Sequence, residues 1–363
     1  MNYNFISLFD PDTGQYLRSS VIKDGKDTMK EPFMASYPEL IDIGVMGHCI
    51  HGESGRCLKS GVQCYQNGLH ENRPNMSLSD FRRIIFESRE KVFQCALGGR
   101  GDVDQHEDFE QLLACCAACR IVPNFTTSGF GLTPEKAAIC GKYCGAVAVS
   151  WYRQDYTLKA IRMLLNAGVK TNIHYVLGKN SIEEATERLL CNSFPEGINA
   201  VIFLLHKPVG LGTGANVLQA GDPEVLKFFE LIDRGGFPYK VGFDSCSAAG
   251  VVNYTNQMDL HTLDFCEGAR FSMYIDSQMR AMPCSFANQD PSWFIDLHKH
   301  TIREAWNSDV FERFRYSLRY SCPECPQKQH CAGGCPLVNE VTLCNRPERD
   351  FKKERKFENE NQK

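Results

Sequence analysis

Ile41-Asp42-Ile43-Gly44-Val45-Met46 runs straight into Gly47-His48-Cys49-Ile50-His51-Gly52-Glu53-Ser54-Gly55-Arg56-Cys57-Leu58-Lys59-Ser60-Gly61-Val62-Gln63-Cys64-Tyr65. The first six residues read as a short buried strand, and the rest as a glycine-containing loop carrying three cysteines. Three thiolates on one loop suit an iron-sulfur cluster that takes four ligands, with one iron left for an exogenous ligand. The spacing alone admits zinc as well, because His48 and His51 are further donors on the same loop.

Outward from this loop the chain alternates short apolar runs with amphipathic stretches. Strands are predicted at 41–46, 92–97, 121–126, 146–150, 171–176, 200–205 and 239–243, and helices at 78–87, 109–120, 156–167, 182–190 and 224–232. Such alternation implies a mainly parallel sheet, and six or seven units suffice for a partial or complete barrel. Upstream, 3–22 reads as a hairpin around Asp10-Pro11-Asp12-Thr13-Gly14. Beyond about 255 the alternation gives way to Cys, Pro and Gly, and the end of the chain is charged. The expected organisation is therefore an extension over 1–39, a barrel over 40–255, a Cys-rich module over 256–345 and a disordered tail over 346–363.

Composition narrows the function classes. A net charge of -4 over 363 residues gives no global basic field for coating nucleic acid. No stretch has the length of a membrane span, and the first residues lack a secretory pattern, so the expected compartment is the cytoplasm. Thiols stay reduced there, and 18 cysteines then point to metal ligation before disulfides. Cys95, Cys115, Cys116, Cys119, Cys140, Cys144 and Cys191 sit in periodic apolar segments and read as inert buried residues.

Seven cysteines lie within 266–344. Cys322-Pro323-Glu324-Cys325, Cys331-Ala332-Gly333-Gly334-Cys335 and Cys344 follow Cys266 and Cys284, the latter closing Tyr274-Ile275-Asp276-Ser277-Gln278-Met279-Arg280-Ala281-Met282-Pro283-Cys284. A zinc ribbon accounts for four of these thiols and leaves three over.

Together these features resemble the radical S-adenosylmethionine (SAM) superfamily. Its barrel carries a cysteine loop after the first strand, with the last Cys followed by an aromatic residue, as Tyr65 follows Cys64. The usual spacing is C-x3-C-x2-C; here it is C-x7-C-x6-C. Gly98-Gly99-Arg100-Gly101-Asp102 after the second strand resembles the family's Gly-Gly-Glu-Pro motif, with Asp102 offering the carboxylate. Asn124-Phe125-Thr126-Thr127-Ser128-Gly129 resembles its third-strand polar turn, and Ser150 its fourth-strand polar residue. The Cys-rich end resembles the SPASM domain, a C-terminal extension that binds auxiliary four-iron clusters.

The resemblance implies a partial (β/α)6-type barrel followed by a SPASM domain, and a SAM-binding 4Fe-4S cluster on Cys49, Cys57 and Cys64. It implies SAM contacts from Gly99, Gly101, Asp102, Thr127, Ser128 and Ser150. Two auxiliary clusters would follow, one on Cys266, Cys284 and Cys335 nearer the barrel, the other on Cys322, Cys325, Cys331 and Cys344. No cysteine stands between Cys266 and Cys284, so the nearer cluster either has an open iron or takes Cys246 as its fourth ligand. Asn172, His174 and Lys207 are weaker candidates; His174 in an apolar strand reads as a core residue. Met279 stands where the family's hairpin usually has Gly. The implied chemistry is reductive cleavage of SAM to a 5'-deoxyadenosyl radical and oxidative modification of a peptide or protein side chain, fed by a flavodoxin or ferredoxin. A small-molecule oxidoreductase and a non-catalytic electron carrier are the competing readings. The 40 or so residues before the first barrel strand are few for a leader-binding domain.

Overall fold

The Ala200–Leu205 run is apolar at every position, which suits a strand covered on both faces, and it sits inside a mainly parallel sheet. In the computed structural model, which describes residues 4–55, 59–61, 63–67, 72–322 and 324–344, seven parallel strands pair in chain order. They are β5 (Leu40–Met46), β6 (Gln94–Gly99), β7 (Val122–Thr127), β8 (Ala146–Ser150), β9 (Thr171–Leu177), β10 (Ala200–Leu205) and β11 (Lys240–Phe243). Helices α2 (Leu78–Ser88), α3 (Phe109–Ala118), α4 (Pro134–Tyr143), α5 (Asp155–Asn166), α6 (Ile182–Leu190) and α7 (Pro223–Arg234) connect them. Each strand feeds a helix that returns outside the sheet, so the result is a partial (β/α) barrel.

Amphipathic helices supply the outer layer. Helix α7 buries Val225, Phe228, Phe229, Leu231 and Ile232, and Phe228 meets Phe203 of β10 with ring centroids 5.0 Å apart. Helix α2 begins where the Ser77 hydroxyl accepts the Asp80 N–H, satisfying one otherwise unpaired donor of the first turn. Helix α4 was not anticipated: Lys, Gly and Cys break its apolar stripe, and only Ala137 and Cys140 are buried.

The open edge of the barrel is where the C-terminal module joins. Strand β12 (Ser272–Ile275) pairs parallel with β5, and β13 (Arg280–Met282) and β14 (Ile295–Asp296) extend the sheet antiparallel, giving ten strands. The β12–β13 turn holds Met279 at φ +59, the left-handed conformation that normally selects Gly. Met279 is buried, which compensates for the backbone cost. Helix α8 (Ala248–Tyr254) follows the last barrel strand, and α9 (Ile302–Trp306) and α10 (Asp309–Tyr320) lie within the Cys-rich module. One continuous core runs from Tyr37 to Leu343, and the Trp306 indole donates to the Ala35 carbonyl at 3.1 Å.

The predicted N-terminal hairpin forms from β1 (Ser7–Phe9) and β2 (Tyr16–Arg18), followed by a shorter one from β3 (Ile22–Lys23) and β4 (Lys26–Asp27). Arg18 fastens the first hairpin to the molecule, pairing with Glu39 at 3.2 Å, Asp264 at 2.5 Å and Glu267 at 2.9 Å while its guanidinium lies over the Phe271 ring. Among the described residues no helix is long and apolar enough to cross a membrane. The predicted tail from 346 lies outside the described residues.

Candidate functional site: the barrel mouth and two thiol groups

Barrel chemistry gathers at the C-terminal ends of the strands, and the cysteine loop leaves β5 at that end. Cys49 is buried and caps the short helix α1 (Ile50–Glu53), its Sγ accepting the Gly52 N–H at 3.4 Å. Cys64 is half-buried on the same loop, and its carbonyl accepts the Leu211 N–H at 2.9 Å, which anchors the loop to the β10 exit. Cys57 lies outside the described residues.

The second strand ends against this loop. Gly99 has φ +114, and a side chain there would meet the Met46 carbonyl at 2.4 Å; one on Gly101 would meet the His48 carbonyl at 2.6 Å. Both glycines therefore let two strand ends approach closely, with Cys49 between them in the chain. Asp102 follows, and its carboxylate is already engaged. It accepts the Ser128 N–H at 2.8 Å and the Ser128 hydroxyl at 2.5 Å, and it faces His51 Nε2 at 2.8 Å. His51 was weighed only as a zinc donor; its position beside Asp102 and Ser128 was not foreseen.

Strand alternation sorts the remaining candidates. On β7 the odd positions pack outward, as Phe125 does against Phe109, and the even ones face the barrel interior, where Thr126 Oγ1 lies 3.1 Å from His174 Nδ1. Thr127 is fully buried on the outer face, and its hydroxyl donates to Asp104 at 2.7 Å. Of that turn's candidates, Thr127 thus has its hydroxyl on the outer face, while Thr126 faces the interior. Ser150 ends β8 on the interior side, paired in register with His174. Burial brings the His174 imidazole down to about 4, so it is neutral at neutral pH. Asp42, on an interior position of β5, is pushed up to about 7 by burial, with Glu267 adding to the effect.

The C-terminal thiols fall into two groups. Cys246, just beyond β11, interacts with Cys335, Cys266 and Cys284. The hydrogen bond to Cys335 and then burial raise the Cys246 thiol; burial foremost raises Cys266, and pushes Cys284 up to about 12. Cys266 is held on both sides: Arg18 pairs with Asp264 and Glu267, and Arg270 donates to the carbonyls of Phe265 and Cys266 at 3.2 and 3.1 Å. The second group, Cys322, Cys325, Cys331 and Cys344, lines one small cavity beside α8. Burial pushes Cys331 up to about 11, with the other three thiols adding to the rise. Gly333 closes that cavity from behind, since a side chain there would lie 2.6 Å from Cys322 Sγ.

Two groups of four thiols are the donor chemistry of four-iron clusters, whose ligands are thiolates. Among the described residues no three His, Cys, Asp or Glu side chains converge on the single point one metal ion needs. The four thiols of the distal group instead line a small cavity. Raised thiols release protons when metal binds, so loading either group is pH-dependent. The remaining cysteines behave as small apolar residues, with Cys95 and Cys116 in contact at 3.5 Å, except that Cys191 is exposed at the end of α6.

Fold and donor groups define a partial (β/α) barrel with a Cys-rich module built to hold clusters. A family model of the SPASM iron-sulfur cluster-binding domain matches residues 266–332. The solved structure of SuiB from Streptococcus suis bound to S-adenosylmethionine is similar at 17% identity and TM-score 0.65, over 86% of this chain and 77% of that one. SuiB bound to its precursor peptide SuiA is similar at 16% identity and TM-score 0.64, over 86% and 76%. The anSMEcpe structure with bound AdoMet is similar at 15% identity and TM-score 0.57, over 89% and 92%. No curated protein sequence matches the chain. The chain therefore shares the fold of these structures and carries the SPASM match at 266–332.

Proposed function

We propose that this chain is a radical SAM enzyme that oxidatively modifies a peptide or protein side chain. The observation that carries the reading is the thiol arrangement: a cysteine loop at the mouth of a partial barrel and two separate groups of four thiols beyond it. In this reading Cys49, Cys57 and Cys64 hold the cluster that binds SAM, Cys246, Cys266, Cys284 and Cys335 hold a nearer auxiliary cluster, and Cys322, Cys325, Cys331 and Cys344 hold a distal one. Bound at those thiols, the cluster and SAM would supply one-electron radical chemistry for removing a hydrogen atom from the substrate.

The protein's part is placement and exclusion of water. Gly99 and Gly101 bring the β6 end against the cysteine loop and leave their backbone open to the methionyl end of SAM. Asp102 orients Ser128 and His51, and its remaining acceptor capacity serves the SAM ammonium. Ser128 and Ser150 offer hydroxyls from neighbouring strand ends. Two solved structures of similar fold carry peptides in their descriptions, SuiB with precursor peptide SuiA and anSMEcpe with the Cp18Cys peptide, which supports a peptide substrate here. The one-electron donor assigned to the enzyme is a flavodoxin or ferredoxin.

Anaerobically reconstituted protein, reduced and given SAM, is expected to release 5'-deoxyadenosine, and release is expected to rise when a peptide substrate is present. Iron-loaded protein that binds no SAM and releases none would leave an electron carrier instead.

A further inference from the structure

The pairing of β12 with β5 covers Leu40 to Ile43, so it ends before the cysteine loop begins at Gly47. Sheet hydrogen bonds therefore join the two modules but do not reach the far end of that loop. Side chains hold it instead. The rings of Tyr65 and Phe286 have centroids 4.6 Å apart and planes inclined at 35°, within the range of attractive aromatic pairs. The next residue, Gln66, is buried, and its Oε1 accepts a hydrogen bond at 2.9 Å from Nδ2 of Asn288, which is buried too.

Both rings stand beside cysteines. Tyr65 follows Cys64 directly, and Phe286 comes two residues after Cys284. Consecutive Cα atoms are about 3.8 Å apart, so neither cysteine moves far without its ring. Each ring is in turn anchored. A side chain on Gly210 would lie 2.4 Å from the Tyr65 carbonyl, and the Leu211 N–H donates to the Cys64 carbonyl at 2.9 Å, so the β10 exit packs directly on the loop backbone. Phe286 lies on the turn Ser285–Ala287, which the Ala287 N–H closes onto the Cys284 carbonyl at 3.0 Å. The Lys207 ammonium, paired with Asp244 at 2.9 Å, sits 4.5 Å from the centre of the Phe286 ring. Three segments thus converge on one ring pair: the cysteine loop, the β10 exit and the turn after Cys284.

We propose that Tyr65 and Phe286, with Gln66 and Asn288, are positioning residues that set the separation between the SAM-binding cluster and the nearer auxiliary cluster. This rests on the reading of Cys49, Cys57 and Cys64, and of Cys246, Cys266, Cys284 and Cys335, as the ligands of those clusters. The brace is stiff for a physical reason: aromatic rings give a large contact with few rotatable bonds, and a buried amide pair keeps the arrangement that satisfies it. A substrate held between two centres at a fixed distance is placed for both of them, and a displacement of about 1 Å can cost about 10²-fold in rate.

The test is the magnetic interaction between the two reduced clusters in the anaerobically reconstituted holoenzyme, read by electron paramagnetic resonance. The quantity measured is the faster relaxation that the nearer cluster imposes on the signal that shifts when SAM is added. The double variant Cys246→Ala, Cys266→Ala removes the nearer cluster and supplies the uncoupled reference. Phe286→Ala, and Phe286→Leu, which keeps apolar volume without a ring, are expected to hold full iron while their relaxation falls toward that reference. Tyr65→Phe keeps the ring and should match the parent. Full iron with parent relaxation in both Phe286 variants overturns the proposal. Loss of iron from the nearer group in both overturns it too, because the ring would then hold the ligands and not their separation. A parent with no SAM-responsive signal, or one whose relaxation the double variant leaves unchanged, overturns the cluster assignment itself, and is recognised before any Phe286 variant is made.

Discussion

At the scale of single residues, Asp102 shows how a carboxylate can serve a site through others. It holds Ser128 by two hydrogen bonds and faces His51. Asp102→Ala leaves the buried Ser128 N–H without its acceptor and removes one of the His51 ring's contacts, at a cost of roughly 1–3 kcal/mol. Thermal unfolding should record that loss, and calorimetry should record weaker SAM binding; unchanged values in both would return Asp102 to an ordinary turn residue. Asp42 carries a pH signature. Burial, with Glu267 adding to it, pushes its carboxyl up to about 7 from the ordinary carboxylate value near 3.8, so the folded form binds the proton more tightly. Stability should therefore fall as pH rises from about 4 through about 7, and Asp42→Asn should flatten that slope. Equal slopes for parent and variant in denaturant titrations would show that Asp42 titrates normally. The contact of His51 with Asp102 and Ser128 was illegible in the sequence because the partners are 51 and 77 residues from His51. The thiols were legible, because Cys-rich spacing has few other uses.

At the scale of elements, the first hairpin is bound through one side chain. Arg18 bridges Glu39 and the two acids that flank Cys266, so it couples the N-terminal extension to a thiol of the nearer group. Arg18→Ala should destabilise the protein by about 1.5–3 kcal/mol, the range for hydrogen bonds to charged groups. It should also make iron leave one auxiliary site faster under chelator challenge, read by the loss of cluster absorbance; a variant that melts earlier but holds its iron would separate the hairpin from the site. The seven barrel strands were readable because each is a short apolar run between amphipathic stretches. Helices α9 and α10 were not, since cysteine, Pro and Gly dominate the composition around them. Yet Thr301 and Glu304 form a complete capping box and Ser308 caps α10, signals that mark both starts. Met279 was read correctly as standing at a Gly position, and its φ of +59 gives the physical sense of that departure.

At the scale of the molecule, the sheet itself joins the two modules. β12 continues the barrel sheet from β5, the strand that leads into the first cysteine loop, so the C-terminal thiol groups are positioned relative to the barrel mouth by backbone hydrogen bonds. The thiol groups nevertheless belong to different segments, one at 49–64 and the others at 246–344, and each should load on its own. The most direct test is iron content and 5'-deoxyadenosine release for the triple variant Cys49→Ala, Cys57→Ala, Cys64→Ala beside the parent, both reconstituted without oxygen. The account predicts loss of one cluster's worth of iron, retention of the auxiliary spectra and no 5'-deoxyadenosine; continued SAM cleavage by the triple variant would contradict it.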